Sequence, residues 1–90
     1  MKTKRNTLQI CADVLSIAKE TDRDGIAVTS LCRKSNLSHS RFKLFVGKLT
    51  EAGLMDVKFS KNYVITPNGI TYLDEYKRFV EFAEGFGFEI

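Results

Sequence analysis

The sequence predicts a small α+β domain, mainly helical, with one β-hairpin set between its last two helices. Three observations predict it. Apolar residues recur at helical spacing in 7–20, 38–52 and 67–84. Residues 54–66 instead alternate apolar and polar in "LMDVKF" and then run through the β-prone "YVIT". Turn-forming stretches, "TDRDG" at 21–25 and "SKN" at 60–62, fall where the period changes.

The chain has 90 residues with ordinary apolar content, 43%, which sets one domain over 1–90 with a small core. No stretch of about 18 apolar residues is present, so a membrane span is not expected. The basic start, "MKTKRNTLQICADVLSIAKE", is broken by Asp13, Lys19 and Glu20 and does not resemble a secretory leader. The expected location is therefore cytoplasmic.

The elements follow in order. Asn6 with Gln9 resembles a capping box for a helix over 7–20. Its expected core face holds Leu8, Cys11, Val14, Leu15 and Ala18, widened by Ile10 and Ile17. "IAV" at 26–28 reads as a short edge strand. Thr29 is a candidate cap for a short helix over 30–35, and "NL" follows as a tight turn. Ser38 is a good N-cap for the next helix, 38–52, and Gly53 is placed to end it. A two-stranded hairpin spans 54–66. Thr66-Pro67 reads as N-cap plus N1 proline for a last helix over 67–84. "EGFGFEI", 84–90, cannot continue a good helix, and 85–90 is expected as a tail.

A short helix, a tight turn and a longer amphipathic helix make a helix-turn-helix, and a hairpin directly after it makes the winged version. Winged helix-turn-helix with an additional C-terminal helix is thus the expected architecture. "LSHSRFKLFVGKLTEAGLM" resembles the third helix of such domains with its step into the wing. "YVITPNGITYL" resembles the step from wing to last helix. Over residues 5–84 the pattern is similar to the archaeal ArnR-like winged-helix family and its small dimeric DNA-binding relatives. The resemblance implies a winged-helix core over 5–66, a dimerisation helix over 67–84 and double-stranded DNA as partner. It also implies sequence-preferring transcription regulation, with the 38–52 helix in the major groove and the wing on the flanking backbone or minor groove. Winged helices also serve as protein-interaction modules of the transcription machinery and as non-specific chromatin-type proteins, so both alternatives stand beside it.

Charge is consistent with a polyanionic partner. Residues 1–62 hold 12 Lys/Arg against 6 Asp/Glu, a net of +6, while 63–90 net −3. Between 33 and 61 stand Arg33, Lys34, Arg41, Lys43, Lys48, Lys58 and Lys61 against only Glu51 and Asp56. Projecting 38–52 at about 100° per residue puts Phe42, Phe45, Val46, Leu49 and Ala52 on the core face. Ser40, Arg41, Lys43, Leu44, Gly47 and Lys48 take the outer face.

On the winged-helix reading these residues divide the work. Arg41 has a fork suited to a guanine edge, and Leu44 suits a thymine methyl. Gly47 lets the helix approach closely. Ser38, His39 and Ser40 sit at the helix start, where anions are favoured. Lys43 and Lys48 flank the groove, while Lys58, Lys61 and Asn62 place the wing on DNA. Arg33 and Lys34 add charge, and Lys2, Lys4 and Arg5 form a basic arm.

Catalysis is not expected. His39 is the only histidine, no phosphate loop occurs, and no nucleophile–base arrangement is evident. With two cysteines and one histidine, neither a metal site nor a cofactor is expected. Cys11 and Cys32 read as buried free thiols. The last helix carries an apolar arc wider than a surface helix needs, including Tyr72, Leu73, Tyr76, Phe79, Val80, Ala83 and Phe86. The expected use is a homodimer seam through Tyr72, Tyr76, Phe79, Val80, Ala83 and Phe86, with the aromatic tail as a further protein contact.

Overall fold

The computed structural model describes residues 5–21, 24–59 and 61–88. The elements are α1 (Thr7–Lys19), β1 (Ile26–Ala27), α2 (Val28–Ser35), α3 (His39–Glu51), β2 (Met55–Lys58), β3 (Asn62–Ile65) and α4 (Pro67–Glu84). Three helices, a hairpin and a long last helix follow one another as the periodicity predicts. The expected edge strand does more than flank the hairpin. β1 pairs antiparallel with β3, through Ile26↔Tyr63 and Ala27↔Asn62, so the sheet has three strands in the order β1-β3-β2.

Local hydrogen bonding explains the helix ends. The Gln9 N–H donates to Asn6 Oδ1 at 2.8 Å, and the Arg41 N–H donates to Ser38 Oγ at 3.3 Å. Each cap satisfies a donor that the first turn leaves open. Thr29 does not cap α2. The helix starts two residues earlier, at Val28 after Ala27, with no side-chain cap. Its first amide, Val28 N–H, instead donates to the Lys61 carbonyl at 3.2 Å, so the turn between β2 and β3 takes up that donor.

The end of α3 is a Schellman turn. Gly53 takes φ 79°, its N–H donates to Thr50 O at 3.1 Å, and the Leu54 N–H donates to Leu49 O at 2.9 Å. The left-handed backbone there is why glycine suits the site. The last helix ends at Glu84, where its composition places the end. Beyond Glu84 the N–H groups of Phe86 and Phe88 donate to Ala83 O, and that of Gly87 to Glu84 O. The start of the expected tail is therefore ordered as the turn that closes α4, with Gly87 left-handed at φ 86°, while residues 89 and 90 lie outside the described part.

The core gathers one face from each element. Val14 and Leu15 of α1, Leu31 of α2, Phe42 of α3 and Met55 of β2 are essentially inaccessible. Each such side chain contributes roughly 1.5–3 kcal/mol of hydrophobic stabilisation. Two expected core residues are corrected. Leu8 is exposed, because it lies one turn before the covered part of its face. Ala52 is exposed as the C-cap of α3, where the chain is already leaving the helix. On α4, Tyr72 and Leu73 pack against the core cluster, whereas Phe79 and Phe82, and Phe86 and Phe88 just beyond its end, are exposed.

The wing tip carries one strained residue. Phe59 has φ 57°, a left-handed conformation disfavoured for a bulky side chain by about 1–2 kcal/mol. The following turn is closed by the Lys61 N–H donating to Lys58 O at 3.3 Å.

Candidate nucleic-acid interface

The helix-turn-helix is joined by a left-handed Asn36, φ 57°, which ends α2 and turns the chain toward Ser38. Ser38 is held as an acceptor by the Arg41 amide, so its hydroxyl serves the helix first. Beyond it, α3 buries Phe42, Phe45, Val46 and Leu49 and exposes His39, Ser40, Arg41, Lys43, Leu44, Gly47 and Lys48. The predicted division of faces therefore holds, apart from Ala52.

The exposed face has two flanks about a crest formed by Ser40, Leu44 and Gly47. On one flank His39, Lys43 and Gly47 border a groove of about 370 Å³, with Val28, Phe42, Val46 and Tyr63 forming the rest of its walls. Tyr63 belongs to β3, so this groove is the junction between the helix and the wing. On the other flank the Arg41 guanidinium carbon stands 5.7 Å from the Phe45 ring centroid. A cation over an aromatic face gains about 0.5–1 kcal/mol at an exposed site. The fork expected to read a base is thus laid along its own helix. Lys48 lies toward α1. It works against the rise in the buried Cys11 thiol's pKa, which desolvation drives.

Leu44 is 56% exposed, far more than a residue recruited into the core. A methyl group added at Gly47 would meet nothing within 4 Å. No internal packing requirement accounts for the glycine, which sits on the outer face.

Several predicted contacts are placed differently. Asn62 is half-buried, and its amide donates to the Asp24 carbonyl at 2.9 Å, tying the wing to the α1–β1 turn. Arg5 also turns inward. Its guanidinium contacts Asp13 at 2.8 Å and donates to the carbonyls of Ser35 and Asn36 at 3.2 and 3.4 Å. It satisfies the open carbonyls at the end of α2 rather than forming a basic arm, and Lys2 and Lys4 fall outside the described residues. Arg33 and Lys34 are exposed on the last turn of α2, Lys61 is exposed on the wing, and Lys58 is half-buried with its ammonium 5.7 Å from the Phe59 centroid.

Sequence reasoning missed Phe59 and Tyr63. Phe59 had a signal, an aromatic adjoining "SKN" where hairpin tips favour Gly or Asn. Tyr63 faces Val57 in the ladder, so strand alternation would have set both on one face. It also missed Phe82, which lies just outside the apolar arc of α4 and is 65% exposed.

Both cysteines are free thiols, Cys11 buried and Cys32 half-buried. Among the described residues no group of three or more His, Cys, Asp or Glu side chains is arranged to hold a metal ion, and no helix is long and apolar enough to cross a membrane.

The exposed third helix, the cationic surround and the hairpin at its side are the parts a duplex-binding domain requires. No curated protein matches the sequence. A family profile described as winged helix-turn-helix matches residues 4–84, nearly the whole chain, and the chain belongs to that family.

Proposed function

We propose that this domain is a homodimeric transcriptional regulator that binds double-stranded DNA with sequence preference. The observation that carries the reading is the outer face of α3. His39, Lys43 and Gly47 adjoin the wing across a shared groove, and Ser40 and Leu44 stand exposed beside them on the same helix. In the major groove, Lys43 and Lys48 would sit toward phosphates, while Ser40 and Leu44 would meet base edges. Arg41 would leave Phe45 to reach a guanine. Lys58 and Lys61 would bring the wing onto the flanking backbone.

The dimer is supported by the outer part of α4 and the turn that follows it. Phe79, Phe82, Phe86 and Phe88 are all more than half exposed, and Phe82 and Phe86 meet edge to face at 5.1 Å. A ridge of this kind is unusual on a monomer's surface. The seam differs from the expected one. Tyr72 is engaged by Leu8 of its own chain, and Ala83 is 8% exposed without any partner. Phe79, Phe82 and Phe86 are therefore the residues offered to a second copy. Two paired heads would then read half-sites about one DNA turn apart.

Fluorescence anisotropy on duplex DNA across a salt series tests the binding. If about six cations meet phosphates, the logarithm of affinity falls against the logarithm of salt with a slope near −5. No binding at low salt would refute the reading and leave a protein-interaction module. Competition by random duplex separates a regulator from a non-specific chromatin protein.

A further inference from the structure

The wing carries a phenylalanine at a place where glycine or asparagine is the easier choice. Phe59 follows β2 with φ 57° and is 66% exposed. That backbone is disfavoured for a bulky residue, so folding stability alone gives no reason for the ring. It also lies outside the core cluster. Along β2, Met55 is fully buried and Val57, paired with Tyr63, is 53% exposed. An apolar row thus leaves the core at the wing root and reaches solvent at the tip. The ring is flanked by cations, with Lys58 Nζ 5.7 Å from its centroid and exposed Lys61 across the turn.

An apolar ring between two lysines at a projecting hairpin tip matches one surface chemistry well. In a minor groove the lysines meet phosphates, while the ring meets deoxyribose walls and the stacked base edges. Phenylalanine is among the side chains that enter base steps there, unstacking them and kinking the duplex. A purely apolar protein pocket would accept the ring but offer nothing to the exposed Lys61 ammonium beside it. We propose that Phe59 is a minor-groove wedge, entering beside the α3 site and partly unstacking one base step, so that the wing bends the duplex. The inference rests on the DNA-binding reading and specifies what the wing does within it.

The chain contains no tryptophan, so Phe59→Trp places the only indole of the protein at the wing tip. The full chain carrying it is titrated with unlabelled duplex, while anisotropy of a labelled duplex reports binding separately. Stacking predicts that indole emission is quenched and shielded from acrylamide over the concentrations where anisotropy rises. Phe59→Ala, checked for folding by circular dichroism, should weaken binding about tenfold, the loss of one base-stacking contact. Its salt slope should match the wild type because no cation is removed. Energy transfer across an end-labelled duplex should show less bending with Phe59→Ala than with the wild type.

Normal binding with unchanged indole emission and acrylamide access would overturn the wedge while sparing the DNA reading. So would a Phe59→Ala complex bent as strongly as the wild type. A wild-type chain that fails to bind duplex at low salt would overturn both, and the wild-type anisotropy alone distinguishes that case.

Discussion

The Tyr72 hydroxyl donates to the Leu8 carbonyl at 2.9 Å, across 64 positions of sequence, and so fastens the last helix to the first turn of α1. The same ring lies parallel to Tyr76, centroids 6.3 Å apart. Desolvation by burial pushes the Tyr72 hydroxyl up to about 12, with the Cys11 thiol and Tyr76 adding to the rise. Tyr76 is raised too, by burial and then by Asp13. An unfolded tyrosine titrates near 10, so the folded chain holds these protons longer. Their contribution is fully present below about pH 10 and is lost as the pH rises from there through 12. At neutral pH Tyr72→Phe should lower stability by about 0.5–1.5 kcal/mol, one hydrogen bond. Between pH 10 and 12 its urea midpoint should fall less steeply than that of the wild type. Parallel curves would deny Tyr72 a part in the alkaline loss.

Arg5 and Lys61 should separate stability from binding. Arg5→Met removes the Asp13 contact and the donors to the end of α2. With both charged groups partly solvated, about 1 kcal/mol of stability should go, read from denaturant unfolding, while the salt slope on DNA stays the same. Lys61→Ala should do the reverse, leaving stability alone and reducing affinity on every duplex along with the slope. A salt slope changed by Arg5→Met would restore that residue to the DNA surface.

Thr66 joins the end of α3 to the start of α4 with one hydroxyl. It donates to Gly53 O at 2.7 Å, at the end of α3, and accepts from the Gly69 N–H at 3.1 Å, in the first turn of α4. Thr66→Ala should destabilise by about 1–2 kcal/mol. Gly69→Ala should be at least as damaging, because its methyl would run into the Leu54 carbonyl and the Ile65 side chain. Thermal melts of the two variants check both, and wild-type melting in either would refute this account of the junction.

Gly47 offers the opposite balance. Alanine there meets nothing within 4 Å, so Gly47→Ala should raise stability by about 0.5–1 kcal/mol through helix propensity alone. If α3 approaches the base pairs closely, the same change should weaken DNA binding. Leu44→Lys should gain non-specific affinity but lose preference for the site. A lysine variant that keeps its preference would make the exposed leucine incidental.

The aromatic ridge of α4 should set the oligomeric state. Replacing Phe82 and Phe86 together by serine should leave the fold intact, since both rings are exposed, and convert a dimer to a monomer in sedimentation. A wild-type chain that sediments as a monomer at micromolar concentration would remove the dimer from the proposal.

By itself, the sequence determined what depends on near neighbours. Ser38 before "HSRF" and Thr66-Pro67 before "NGI" mark helix starts because a cap bonds an amide three residues on. The α3 face of Phe42, Phe45, Val46 and Leu49 follows from a 3.6-residue period. The outer face of that helix, and hence most of the candidate site, was legible for the same reason. What remained belonged to the tertiary structure, because it turns on partners distant in the chain. Arg5 reads as a basic arm until Asp13 and the end of α2 come within reach. Asn62 reads as a wing contact until the Asp24 carbonyl takes its amide. Thr29 reads as a cap until the Lys61 carbonyl of the wing turn takes the first amide of α2, and Tyr72 reads as a dimer contact until its hydroxyl meets the Leu8 carbonyl. Short-range hydrogen bonds and periodicity are written in adjacent residues. The choice between solvent, a ligand and another part of the chain is made only when the elements pack.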